Sequence, residues 1–128
     1  MTRIAMAQTT TTDVVADNLK VARELVAEAV DTGAGMLAFP EIFLFLGGRK
    51  KKLEIAESLD GPLVSEFRDH AARHNLPILL GSFHERISRD SEKVHNTSVL
   101  LDGRGEIQAV YRKIKLFDVE LPHLSLRE

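Results

Sequence analysis

Residues 3–39 read RIAMAQTTTTDVVADNLKVARELVAEAVDTGAGMLAF, and the pattern of this stretch decides the fold class. RIAMAQ (3–8) is short and apolar, as a buried strand would be. The threonines Thr9 to Thr12 are polar, and Thr12 or Asp13 can cap a following helix through a side-chain oxygen. Over residues 13–32, Val15, Leu19, Ala22, Val26 and Ala29 recur at steps of four and three, which collects them on one helical face. Gly33 stands where a helix commonly ends in a left-handed residue. MLAF (36–39) is a second short apolar strand, stopped by Pro40.

Beyond this β-α-β unit, residues 49–59 read as a helix with a basic start. Gly61-Pro62 opens another helix through His74, with Leu63, Phe67 and Ala71 on one face. Asn75 can take the left-handed cap, and Pro77 forbids continuation. ILLGSF (78–83) is a third strand, and the polar stretch Ser88 to Lys93 links it to TSVLL (97–101). Asp102-Gly103-Arg104-Gly105 is a hairpin turn, from which EIQAVY (106–111) returns. The order β-α-β-α-α-β followed by a hairpin predicts a layered α/β domain. The strands are nearly continuous apolar runs, which predicts cover on both faces.

The chain has 128 residues, 44% of them hydrophobic, so one modest domain with a core is expected and disorder is excluded. The net charge of −2 carries no basic footprint, so no nucleic-acid partner is expected. No apolar run approaches the roughly 20 residues of a membrane span, so no membrane partner is expected either. The start, MTRIAMAQ, lacks the apolar core of a signal peptide, which fits a cytoplasmic location. There is no cysteine, hence no disulfide and no thiolate metal site.

Three stretches could carry chemistry. In Phe39-Pro40-Glu41 a carboxylate follows a buried strand directly, at the rim where open α/β sheets place their sites. Burial there would raise its pKa and suit it to general-base work; the plainer alternative is an exposed loop glutamate. In Tyr111-Arg112-Lys113-Ile114-Lys115-Leu116-Phe117, Lys113 could stabilise an oxyanion, or simply charge a sheet edge against aggregation. In Gly81-Ser82-Phe83-His84-Glu85-Arg86 the zinc-protease pattern fails, because Ser88 stands where a second histidine is needed. His84 therefore reads as a positioning or packing residue. Arg49 to Lys52 read as a solvated helix face, and His70 and His74 as an exposed one without a third metal ligand. Phe43 and Phe45 line a pocket or pack beneath it.

FPEIF, GSFHER, HNTSVLLDGRGEI and YRKIKLFDVELP occur in this order, after the strand-and-glutamine start RIAMAQ. This ordered set resembles the nitrilase superfamily of carbon–nitrogen hydrolases over essentially the whole chain. GSFHER with DVELP is most similar to its deaminated-glutathione amidase branch, with the omega-amidase branch as competitor. The resemblance implies the N-terminal half of an α-β-β-α nitrilase-type sandwich, with residues 1–128 a partial domain ending before the region of the nucleophilic cysteine. It implies a hydrolase acting on the amide of a small carboxylic acid through Glu, Lys and Cys, the Cys being absent here. Glu41 would be the general base and Lys113 the oxyanion-stabilising lysine. Glu128 would be the second glutamate of the family, with Glu120 as its competitor. Lys115 stands where the family often has histidine. No metal or organic cofactor is implied; the partners are a small amide substrate and, in the complete protein, further copies of itself. A catalytically inactive binding or interaction module is the alternative. A sandwich half would also leave its inner sheet face bare, and Ile78, Leu80 and Val99 are the residues expected on it.

Overall fold

The computed structural model describes residues 2–89, 91–115, 119–121 and 124–126. A five-stranded sheet runs in the order β1 (Ile4–Met6), β2 (Met36–Ala38), β3 (Ile78–Arg86), β4 (Val94–Leu101), β5 (Ile107–Arg112). β1, β2 and β3 are parallel, while β4 and β5 return antiparallel. The helices are α1 (Val15–Asp31), α2 (Arg49–Ile55) and α3 (Pro62–His74). A further pair, β6 (Val119–Leu121) and β7 (Leu124–Leu126), forms its own antiparallel ladder. The fold is α/β, as expected.

The helices form where their sequence signals stand. On α1, Ala22, Val26 and Ala29 are at most 2% exposed, so the four-and-three spacing is the core face. After α1, Gly33 lies at φ 66, its N–H donates to Val30 O, and Ala34 N–H donates to Ala29 O. This double closure satisfies carbonyls that the helix end would orphan. The N-terminus differs from expectation. Val14 is the cap and its side chain offers no capping bond, while Thr12 Oγ1 accepts the Val14 N–H at 3.2 Å, ahead of the helix rather than within its first turn. Instead Thr12 is tied to Asn18, a buried polar residue whose Nδ2 donates to Thr12 O and Leu44 O, both at 2.9 Å. Pro62 occupies the first turn of α3, and Asn75 caps it at φ 48.

Two boundaries move for tertiary reasons. α2 ends at Ile55, short of the expected 59, because Ala56 turns extended and Glu57 bridges to β3. There Glu57 N–H donates to His84 O, Arg86 N–H donates to Glu57 O, and Glu57 Oε2 accepts from Leu63 N–H at the start of α3. For its part β3 runs on through His84, Glu85 and Arg86, beyond the expected 83, because β4 pairs with all of them.

The core lies between the sheet and the helices. Leu37, Ile78, Leu80, Val99 and Leu101 meet Ala22, Val26, Val64, Phe67 and Ala71 there. Ile78, Leu80 and Val99 are fully buried by this chain's own helices, so they are not the bare face that the sandwich reading assigned them to. By register, the opposite face carries Met6, Ala38, Leu79 and Leu100. At its β1 edge Met6 is 84% exposed and Ile4 57%, so the expectation of cover on both faces fails within this chain.

Candidate active site

The FPE stretch leaves β2 and turns over the β3 bulge. Gly81 makes this possible: a Cβ there would stand 1.7 Å from Phe39 O. The close approach lets Ser82 N–H donate to Pro40 O and Phe43 N–H donate to Ser82 O. The turn itself is strained. Ile42, a β-branched residue, sits at φ 53, a conformation that costs a non-glycine residue about 1–2 kcal/mol. Ser82 Oγ accepts the Ile42 N–H at 2.9 Å and helps hold it. Backbone strain of this kind gathers at functional sites because the surroundings must enforce it. Beneath the turn Phe39 and Phe43 stack at 4.6 Å, and Phe67 meets both edge-on. Phe43 and Phe45 are thus the buried floor of the turn and its continuation, each 1% exposed.

On this platform Glu41 faces Lys113, although they are 72 positions apart; Lys113 Nζ donates to Glu41 Oε1 at 3.1 Å. Asn96 Nδ2 donates to the same oxygen at 2.8 Å. Lys113 follows β5 directly, and its backbone N–H donates to Asn96 O at 2.9 Å. Glu41 is not buried as expected: its side chain is 58% exposed, against 27% for Lys113. An ion pair so exposed contributes little to stability. Two donors thus converge on one carboxylate oxygen, beside a strained turn. Of the candidates for a second glutamate, Glu128 lies outside the described residues, and Glu120 is placed in β6 with only its backbone described. Lys115 is exposed.

Next to the pair stands a second carboxylate, from the stretch whose zinc pattern failed, to which the sequence reading gave no role. Glu85 is 5% exposed on β3. Arg112 grips it with Nε at 2.7 Å and Nη2 at 2.6 Å, and Thr97 Oγ1 donates to Oε2 at 2.7 Å. Burial pushes the Glu85 carboxyl up, but the Arg112 and Thr97 hydrogen bonds outweigh it and hold it below the ordinary glutamate value of 4.5. The guanidinium is the residue before Lys113, so this clamp fixes the end of β5 from which the lysine projects. We expect Glu85→Gln to cost about 2 kcal/mol near neutrality, as for loss of a hydrogen-bonded charge. A carboxyl depressed by folding stabilises above its unfolded pKa, and that contribution is lost as pH falls through the lower folded value. The gap between wild type and variant in urea unfolding should thus be constant down to about pH 5.5 and shrink on further acidification. A gap unchanged at about pH 3 would refute this account.

The remaining candidates take other places. His84 is 8% exposed and stands edge-on to Phe45 at 6.1 Å, a packing position. His70 and His74 stack at 6.3 Å, and His70 is half-buried rather than exposed. Among the described residues no group of three potential metal ligands occurs. The basic start of α2 is tethered: Lys51 Nζ donates to Asp13 O and Arg49 pairs with Glu92. An apolar cavity of about 130 Å³, lined chiefly by Val15, Leu19, Leu44, Ile55, Leu63 and Phe83, opens elsewhere and touches neither Glu41 nor Lys113. Glu57, Glu66 and His84 also line it. Among the described residues no helix is long and apolar enough to cross a membrane.

A carboxylate and an ammonium meet at the strand-end rim of a layered α/β sheet, and comparison with known proteins supplies the family. Residues 3–128 match the carbon–nitrogen hydrolase family, and the chain belongs to it. It is 34% identical over 98% of its length to a deaminated glutathione amidase of Dictyostelium discoideum, and spans 45% of that protein. It is 40% identical, again over 98% of its length, to the nitrilase and fragile histidine triad fusion protein NitFhit of Drosophila melanogaster, and spans 27% of it. The C. elegans NitFhit crystal structure covers the whole chain with a TM-score of 0.88 at 28% identity, the chain spanning 32% of that structure. The chain thus spans less than half the length of these relatives.

Proposed function

We propose that this chain supplies the general base and the oxyanion-binding lysine of an amidase that acts on the amide of a small carboxylic acid. The observation that supports it best is the 3.1 Å contact between Glu41 and Lys113. On this reading residues 1–128 are a partial domain, and the cysteine nucleophile comes from outside them, since the sequence contains none. Glu41 takes the thiol proton, and the thiolate attacks the amide carbon. Lys113 holds the oxyanion of the tetrahedral intermediate. When that intermediate collapses, the carbon–nitrogen bond breaks and Glu41 returns its proton to the leaving ammonia. Water then hydrolyses the thioester, with Glu41 as base, and frees the cysteine. Glu128, or Glu120 in its stead, is the second glutamate. A deaminated-glutathione-type amide is the substrate class favoured by the motifs GSFHER and DVELP and by the 34% identity to the deaminated glutathione amidase of Dictyostelium discoideum, with omega-amides as the competing class. The protein works in the cytoplasm, as a homo-oligomer when complete.

The test begins with the coding sequence downstream of Glu128. An in-frame continuation bearing a cysteine after a strand gives the protein to assay. That protein should release ammonia from small carboxylic-acid amides, and Glu41→Gln should lower turnover at least about a hundredfold. Residues 1–128 alone should show no turnover. Hydrolysis by this stretch alone, abolished by Glu41→Gln, would overturn the cysteine mechanism in favour of another nucleophile. A natural stop after Glu128, with a stable inactive product, would favour a binding module instead.

A further inference from the structure

We propose that Asn96 is a positioning residue that sets Glu41 and Lys113 against each other; the inference rests on the reading of those two as base and oxyanion holder. Asn96 reaches both with its two ends. Its side-chain Nδ2 donates to Glu41 Oε1 at 2.8 Å, and its backbone carbonyl accepts the Lys113 N–H at 2.9 Å. The contact from Lys113 Nζ to the same Oε1 closes a ring through three residues remote in sequence.

The ring has one buried member and two partly solvated ones. Asn96 is 8% exposed and sits within β4, paired with His84 on β3. Glu41 and Lys113 project from a turn and a strand end, and their side chains are partly solvated. Left to themselves, an exposed carboxylate and ammonium exchange among many rotamers, so their attraction alone orients neither. A buried amide fixed by its strand removes that freedom, as groups supporting a reaction centre must.

The residue type follows from the chemistry. An ionised carboxylate only accepts hydrogen bonds, so the amide nitrogen is the end that faces it. Aspartate at this position would oppose Glu41 with like charge, and an aliphatic residue would offer no donor. Asn96 and Lys113 both donate to Oε1, so one carboxylate oxygen is held from two sides.

The pairing can be read without turnover. A carbodiimide joins a carboxylate to an amine only when the two touch, so the purified chain should yield a Glu41–Lys113 isopeptide in peptide mass spectra. Asn96→Ala keeps the backbone carbonyl but removes the amide donor. It should lower that yield about tenfold, on the scale of one hydrogen bond to a charged group, while the unfolding midpoint confirms a folded chain. Coupling at the wild-type level in Asn96→Ala overturns the positioning role and leaves the Glu41–Lys113 assignment standing. Failure of the wild type to couple overturns both. A second reading avoids substituting Asn96: its side-chain amide resonances in the wild type should move on Glu41→Gln, and resonances that stay put overturn the proposal.

Discussion

Replacing Gly81 by alanine should destabilise the chain by about 3 kcal/mol or more, at the severe end for a single methyl group. The added Cβ would lie 1.7 Å from Phe39 O, 2.7 Å from the Phe39 carbonyl carbon and 2.9 Å from Pro40 O. All three are backbone atoms, so no side chain can swing aside. The Phe39 segment cannot retreat cheaply either, because Phe39 N–H donates to Leu79 O at 2.9 Å and Pro40 O accepts from Ser82 N–H at 3.2 Å. Relief therefore means breaking the end of the β2–β3 ladder and lifting the Glu41 turn from the sheet. Gly48→Ala is the control, since a Cβ there meets nothing within 4 Å. Its cost should stay within about 1 kcal/mol, the preference for glycine over alanine at a helix cap. Urea unfolding followed by circular dichroism measures both. A Gly81→Ala chain as stable as the Gly48→Ala control would show that the turn does not sit against β3 as described.

The elements were legible where the information is local. The spacing of Ala22, Val26 and Ala29, the glycine after α1, the proline opening α3 and the asparagine closing it each fix a backbone state within a turn of themselves. What could not be read depends on partners far along the chain. α2 stops because Glu57 finds β3, and β3 continues because β4 pairs with it as far as Arg86 opposite Val94. His84-Glu85-Arg86 looks like the polar end of a strand until β4 is known to run beside it. The bare sheet face was misassigned for a related reason. Ile78, Leu80 and Val99 and the residues alternating with them, such as Leu79 and Leu100, are alike in apolarity, so period-two alternation could not say which set met the helices.

The site was legible as a set of motifs, with its geometry hidden. Glu41 and Lys113 stood out because the ordered motifs resemble a family, since a glutamate after a strand and a lysine in a charged run are common features. Asn96 gave no such signal. An asparagine ahead of an apolar run reads as the polar margin of a strand, and only the fold brings it opposite Glu41. Glu85 is similar: beside His84 in GSFHER it invites comparison with a zinc pattern, yet its partner is Arg112 and it is buried. Expected burial at Glu41 failed because a rim position after a strand is half solvent by nature; the environment there is set by two donors instead.

Phe67→Ala should cost about 3–5 kcal/mol, the range for removing a buried ring, and should also loosen the Glu41 turn. Phe67 is fully buried on α3. Its ring meets Phe39 at 5.5 Å and Phe43 at 5.7 Å, both edge-on, while those two stack on each other at 4.6 Å. Phe39 and Phe43 flank Pro40-Glu41-Ile42 in sequence, so the cluster is the floor on which the strained turn rests. Edge-on aromatic pairs add about 0.5–1.5 kcal/mol to the burial itself, and that increment is lost with the ring. Phe67→Leu keeps most of the volume and should cost less than about 1.5 kcal/mol if the site repacks. Val26→Ala, a truncation on α1 at a residue 1% exposed, separates stability from positioning. It should lower the unfolding midpoint yet leave carbodiimide coupling of Glu41 to Lys113 unchanged in the folded chain. Phe67→Ala should lower both. If it weakened the fold while coupling persisted at the wild-type level, the aromatic floor would be a stability element alone, and the turn would be held by Gly81, Ser82 and Asn96 without it.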